Sequence, residues 1–597
     1  MKHSRTLRLA AFVALLMLCV CLVAVMAACD SVDAPDTDTT DATTTDVTTT
    51  AAATTDAASE PTSDEPDSTT AVEPESTEPE ETTPEETETV FVPVTEYPDA
   101  EPAAAFTVSN VFSDHMVLQR GEYIRVWGWA DTSENGKKVA GEFAGQCSEA
   151  LITDGAWEMV FPTPLEANVV GQSMRIYASD CEATFDDVLI GDVYMAIGQS
   201  NMALTVVEHL ITTGNDPTRG GQEAWDLDAP IRLHYNSHLQ ESDLYPPVGS
   251  PEVCREIVSD SRWETLTNGD IGRFSALGYY FATEIVKLTD GTVPIGIIEV
   301  EASGRPLGSF MSNEAAEASS SDRWNETLGI YETSGLFGGA RFMYNRYMYP
   351  FERYPLAGVL WYQGESDYMA GVAQIYNEKF SALMSFMRST HNLIDRDFPV
   401  YVMEFPTMYT QPDSYEGSSW AYMDVGLIRA IMGTLPQTLE NCFVCPSSDV
   451  WADDTFENNL HPACKFEQAQ RLSAMAAFVS CGVGDGLSMG PILVSAEFSA
   501  DQKTAVLTFT NVGDGLTTAD GGTAVRGFSA ARADFGLSHN DDLTVTITAK
   551  NQITIVSQKK LAGLVYNNKT TNFFGDEVNL CNSAGVPVHA FFVYPED

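Results

Sequence analysis

Four short segments of this chain carry residue types able to do acyl chemistry, and three of them stand directly after an apolar run. The first is Gly198-Gln199-Ser200-Asn201-Met202, directly after Val188 to Ile197. An apolar run that ends in glycine and a small polar residue reads as a buried strand stopping at a turn. In an open α/β sheet, ligands and catalytic groups collect at such strand ends. Ser200 is therefore either the N-cap of the next helix or a nucleophile awaiting a base. A nucleophilic serine needs a group to take its proton and donors for the developing oxyanion. Ser303-Gly304-Arg305, after Ile295 to Val300, offers a glycine N–H. The segment from Trp361 to Asp367 offers the Gln363 amide and the Glu365 carboxylate. His461, in Asn458-Asn459-Leu460-His461-Pro462, stands at a helix start. Each also has a purely structural reading: Gly304 makes a turn, Gln363 and Glu365 tie loops, and His461 caps a helix or binds backbone. Four such groups at four strand ends of one unit favour chemistry.

The elements that must position them follow from the hydrophobic pattern. From residue 187 to 485, strand-like runs (294–300, 357–362, 400–404, 442–446) alternate with helical stretches (275–288, 374–387, 462–478). That alternation predicts an α/β fold with a mostly parallel sheet. Residues 105–186 alternate apolar and polar positions with Gly and Asn breaks, as in Arg125-Val126-Trp127-Gly128-Trp129, and read as an N-terminal β domain. Alternation returns over 486–597, for example Leu543 to Thr548, predicting a C-terminal β domain. A chain of 597 residues is long enough for such a division.

Residues 1–29 read as an export signal: Lys2, Arg5 and Arg8 precede an apolar stretch that closes on Val25-Met26-Ala27-Ala28-Cys29. Cysteine after two alanines resembles a bacterial lipobox, which makes Cys29 the lipidated residue. Residues 30–104 hold 22 acidic and no basic residues among Thr, Ala, Ser and Pro, the composition of a disordered, self-repelling stalk. Setting aside three cations of the leader and the 22 stalk acids takes the formal charge from −53 to −34 for the remainder. So acidic a body argues against nucleic acid or an anionic membrane as partner, which leaves membrane contact to the N-terminal anchor. Eight of the 11 cysteines lie beyond the leader. In an exported chain they permit disulfides, with Cys147–Cys181 and Cys442 or Cys445 with Cys464 or Cys481 as candidates. The lone Cys442-Phe443-Val444-Cys445 lacks a second ligand pair, so no metal or other cofactor is expected.

GDVYMAIGQSNM (191–202), GVLWYQGESD (358–367) and LHPACK (460–465) resemble the blocks of the SGNH hydrolases, and more narrowly the sialate O-acetylesterase family. Residues 112–120 (FSDHMVLQR), 274–281 (FSALGYYF) and 579–587 (NLCNSAGVP) are similar to further segments of that family. The resemblance covers roughly Phe106 to the end. It implies an SGNH-like parallel sheet with helices on both faces, flanked by two β domains. It also implies a serine hydrolase that removes acetyl groups from O-acetylated glycans or sialic acid. Ser200 would be the nucleophile and His461 its base, with an oxyanion hole from the Ser200 N–H, the Gly304 N–H and the Gln363 side chain. The family often carries Asp three residues before the histidine, where this chain has Asn458. An amide orients imidazole but does not stabilise imidazolium by charge, so Glu365, Asp449, Asp453 or Glu457 is the candidate carboxylate partner. Ala302-Ser303-Gly304-Arg305 replaces the family's Trp-Gly-Gly-Thr, bringing the bulk and charge of Arg305 beside the expected oxyanion hole. Two alternatives stand beside this reading. One is a polysaccharide deacetylase of the acetyl-xylan type; the other is a catalytically weak glycan-binding surface protein.

Overall fold

The computed structural model describes residues 91–235, 253–257, 261–319, 341–368, 373–406, 425–450, 461–533, 535–538, 542–569 and 574–596, with backbone alone at 323–325 and 330–332. The leader, Cys29 and nearly all of the acidic stalk lie outside the described residues, as do Asp453, Glu457 and Asn458. The stalk reading ends too late, however. The Glu149 N–H donates to the Thr95 carbonyl, the Tyr97 N–H donates to the Glu149 carboxylate at 2.7 Å, and Ala103 is fully buried. Residues 95–104 thus lie along the first β layer, because their backbone groups find partners there that composition does not reveal.

The central feature is a mixed sheet in which six strands run parallel among the described residues. In chain order these are β1 (Glu182–Gly198), β2 (Ile231–His234), β3 (Ile295–Glu301), β4 (Gly358–Tyr362), β5 (Val400–Met403) and β6 (Cys442–Cys445). Their spatial order is β2-β3-β1-β4-β5-β6. The chain therefore leaves β1 toward one edge and returns to build toward the other, which makes β1 the switch point where a crevice opens at the strand C-termini. Val188 to Gly198 are all buried, as are all residues of β3, β4 and β5. Burial on both faces explains why these strands read as unbroken apolar runs.

β1 is 17 residues long and serves two sheets. Its first half pairs antiparallel with Asn168–Tyr177, and Leu189–Gly191 pair with Val117–Gln119. Its second half pairs with β3 and β4. Gln119 and Arg120, part of the 112–120 segment, fix the crossover point. Gln119 Oε1 accepts from the Val193 N–H at 2.8 Å, and the Arg120 guanidinium grips Asp192 through two bonds of 2.7 and 2.9 Å. The expected boundary at 186/187 thus falls inside one continuous strand.

Five helices bear on the site: α1 (Ser200–Ala203), α2 (Val206–Thr213), α3 (Ala276–Leu288), α4 (Val425–Met432) and α5 (Lys465–Cys481). α2 starts on a capping box between Thr205 and Glu208 and stops at Gly214, whose φ of 69° is left-handed. The Ser275 hydroxyl accepts from the Gly278 N–H to cap α3 and donates to the Met202 carbonyl at 2.7 Å, tying α1 to α3. α3 and α5 pack side by side, with the Tyr280 and Phe466 rings edge to face at 5.3 Å.

The C-terminal part forms a four-stranded antiparallel sheet and a three-stranded one around a hydrophobic cluster of their own. Glu404, one residue past β5, ties this part to the central sheet by accepting from the Ala590 N–H at 2.6 Å and the Ser447 N–H at 2.9 Å. None of Cys147, Cys181, Cys442, Cys445, Cys464 and Cys481 is in a disulfide; five are buried or half-buried inside the fold, and the pairings suggested by count are absent.

Candidate active site

Register brings three of the four segments to one edge. Gly198 lies level with Glu301 of β3 and with Tyr362 of β4. Ser200, Gly304 and Gln363 then follow two, three and one residues beyond that line. The glycine is required there, since a Cβ at 198 would sit 2.2 Å from the Tyr362 carbonyl oxygen. Ser200 is half-buried and is the first residue of α1, whose N-cap position belongs to Gln199 without a side-chain cap bond. The cap reading of Ser200 is thereby set aside.

Gln199, which sequence reasoning passed over, is the tie between the serine turn and the glutamine turn. Its side-chain carbonyl faces the Ser366 N–H at 3.1 Å, the Gly364 N–H at 3.5 Å and the Gln363 amide nitrogen at 3.2 Å. Gln363 is fully buried, and its amide nitrogen also donates to the Arg305 carbonyl at 2.9 Å and to Asp367 at 2.7 Å. Its carbonyl oxygen accepts from the Tyr376 hydroxyl at 2.9 Å. The surroundings dictate this amide orientation: three acceptors face the nitrogen and a hydroxyl faces the oxygen. Through these contacts Gln363 braces the glycine loop against the serine turn.

That loop is shaped by Gly304, whose φ of 71° lies in the left-handed region. The Asp367 carboxylate accepts from the Leu307 N–H at 2.9 Å as well as from Gln363, so one acid pins both sides of the loop. Burial pushes the Asp367 carboxyl up to about 6. The Arg305 side chain is buried, with the guanidinium 4.8 Å from the centre of the Phe342 ring.

His461 precedes α5 and is half-buried. Burial holds its imidazole down at about 4; the charge of Lys465 acts in the same direction, and that of Glu208 opposes both. Lys465 is fully buried and donates to Asn201 Oδ1 at 2.8 Å, while Asn201 Nδ2 donates to Glu365 Oε1 at 2.5 Å. The residue after Ser200 is thus joined to the residue four beyond His461. Among the candidate carboxylates, Glu365 turns to Asn201 and Asp449 makes two bonds of 2.6 and 2.8 Å with Arg471. Burial raises Glu365 to about 7 and lowers Lys465 to about 8. Glu208 was missed as a neighbour of His461, although the Thr205-x-x-Glu208 spacing marks it as a capping-box member. Among the described residues, no cluster of His, Cys, Asp and Glu is arranged to hold a metal ion.

Comparison with known proteins adds a likeness to a family. Residues 260–421 match a family model described as carbohydrate esterase, sialic acid-specific acetylesterase. This stretch is similar to that family of acetylesterases. It contains Gly304, Gln363 and Glu365, while Ser200 and His461 flank it. The sialate O-acetylesterase of Homo sapiens is 23% identical over 450 residues, covering 70% of this chain and 79% of that protein. The one from Pongo abelii is 22% identical over 449 residues with the same coverage. In fold, the chain is similar to the crystal structure of a carbohydrate acetylesterase from Xanthomonas citri. The TM-score is 0.61 at 24% identity, over 82% of this chain and 99% of that one.

Proposed function

We propose that the chain is a carbohydrate O-acetylesterase of the sialate type, with an SGNH-like core, that works through an acetyl-enzyme on Ser200. The observation that carries this reading is the register that levels Gly198, Glu301 and Tyr362, so that the serine turn and the glycine loop share one edge at the switch point. The family segment and the acetylesterase neighbours support it. His461 takes the Ser200 hydroxyl proton as the oxygen attacks the acetyl carbonyl carbon. The sugar oxygen leaves with that proton, and water repeats the sequence on the acetyl-enzyme. The Ser200 and Gly304 N–H groups receive the oxyanion, each donor of this kind being worth about 2.7–4 kcal/mol of barrier. An imidazole held at about 4 is free base at neutral pH, as a general base must be.

The leader and stalk support a cell-surface lipoprotein anchored through Cys29, with the acidic stalk as spacer. The test is an acetate-release panel on O-acetylated sialic acid, acetyl-xylan and p-nitrophenyl acetate. Ser200→Ala is expected to abolish release, and turnover equal to wild type in that variant refutes the assignment. Faster release from acetyl-xylan than from O-acetylated sialic acid would instead favour a polysaccharide deacetylase. In the same panel the activity is expected in the membrane fraction and, with Cys29→Ala, outside it; an unchanged distribution refutes the anchor.

A further inference from the structure

We propose that Glu365, Asn201 and Lys465 act as one positioning bridge, which holds the serine turn against the histidine segment and sets a positive charge beside His461. The inference rests on the reading of Ser200 and His461 as nucleophile and base, and deepens it.

The bridge is made of three side chains that are 2, 2 and 0% exposed in the order Glu365, Asn201, Lys465. Burying an ammonium is costly, and an apolar residue of similar size would fill the space without that cost. What the ammonium adds is direction. Lys465 has only donors and faces Asn201 Oδ1; Glu365 accepts from Asn201 Nδ2. The amide plane therefore has one orientation, and the backbone at 200–201 is held from both sides. Lys465 Nζ also lies 4.9 Å from the centre of the Tyr362 ring, at the end of β4. One ammonium thus touches the serine turn and the strand end beside it, and it heads the helix that His461 precedes.

The second consequence is electrostatic. Lys465 from α5 and Glu208 from α2 both act on His461 by charge. The neighbouring Arg219 guanidinium pairs with Glu467 at 2.6 Å and also holds the Ala463 carbonyl at 3.0 Å. Lys465 disfavours the imidazolium, and Glu208, whose carboxylate is already bonded to Thr205, favours it. Burial comes first, so removing the lysine charge raises the His461 value only part of the way back to 6.5.

The experiment measures kcat and KM for p-nitrophenyl acetate from pH 3.5 to 9 on wild type, Ser200→Ala and three bridge variants. Lys465→Gln keeps a donor for Asn201 and removes the charge. It is expected to move the acidic limb of kcat/KM upward by about 0.5–1 pH unit. Asn201→Ala cuts the bridge and keeps the charge. It is expected to lower kcat at least about tenfold with KM and the acidic limb in place. Asn201→Asp keeps the oxygen facing Lys465, protecting the fold should Asn201→Ala not be stable, and is expected to lower kcat without raising KM. An unmoved limb in Lys465→Gln, or kcat within twofold of wild type in the folded Asn201 variants, overturns the proposal. Turnover in Ser200→Ala equal to wild type would sink the esterase reading itself; a dead Ser200→Ala beside wild-type-like bridge variants would sink the bridge alone.

Discussion

At the scale of single residues, the site is organised by side chains that do no chemistry. Gln199 receives the Gly364 and Ser366 N–H groups in a place from which water is excluded. A buried donor left without its acceptor costs about 1–3 kcal/mol. Gln199→Ala is therefore expected to lower stability by an amount in that range and to cut kcat/KM. Urea unfolding and p-nitrophenyl acetate kinetics check it, and wild-type stability would show that Gln199 is not a tie. The difference between Ser200 and Gln199 also shows what was legible in the sequence. Ser200 and Gly304 announce themselves by standing just after an apolar run, and His461 by its place at a helix start. Gln199, Asn201 and Lys465 act on partners 164 to 264 positions away along the chain, and only the register of the sheet tells which those are.

Among the elements, β1 carries the most structural information. Its first six residues alternate exposed and half-buried positions, and from Val188 every residue is buried. Sequence patterning reads that change as the end of one domain and the start of another. It marks a change of surroundings along a single strand, from one face wet to both faces covered. At its far end, Gly198 allows β4 and α1 to close on it: a Cβ there would lie 2.2 Å from the Tyr362 oxygen and 2.6 Å from the Met202 Cβ. Gly198→Ala must push β1 from β4 or α1 from both. Overpacking of this kind costs about 1–3 kcal/mol or more, and here it also displaces the serine turn. Gly278→Ala, inside α3, would meet atoms no closer than 3.4 Å and gain helix propensity, so it is expected to be neutral or mildly stabilising. Thermal melts and esterase rates of the pair provide the check; equal loss in both would mean that close approach is not what Gly198 provides.

For the whole molecule, the C-terminal part is fastened to the central sheet by buried polar groups as well as apolar ones. Glu404 spans Ser447 and Ala590, and the Arg429 guanidinium of α4 reaches the Asn567 carbonyl at 3.1 Å and its side-chain oxygen at 3.0 Å. A Cβ at Gly433 would lie 1.7 Å from the Ala590 oxygen, so the two parts meet backbone to backbone. A chain ending at residue 485 loses Ala590 and Asn567, and with them one backbone partner of Glu404 and the Asn567 bonds of Arg429. It is expected to be insoluble or to melt well below the full chain, measured by solubility and circular dichroism; a soluble, fully active product would show the C-terminal part to be independent. The pattern of alternating strands revealed that this part exists. It carried no sign of the fastening, because a glutamate and an arginine in a sequence do not disclose which backbone groups they satisfy.

The shared strand also governs how this architecture can be recombined. A crossover between related genes at the compositional boundary would cut β1 in the middle of its ladder, separating Asp192 from Arg120 and the serine turn from the layer that aims it. A crossover in the hairpin at Ser179–Cys181 would leave β1 whole but would exchange the Asn168–Tyr177 strand that pairs with it. Chimeric chains should therefore inherit the N-terminal layer and the serine turn as one heritable block.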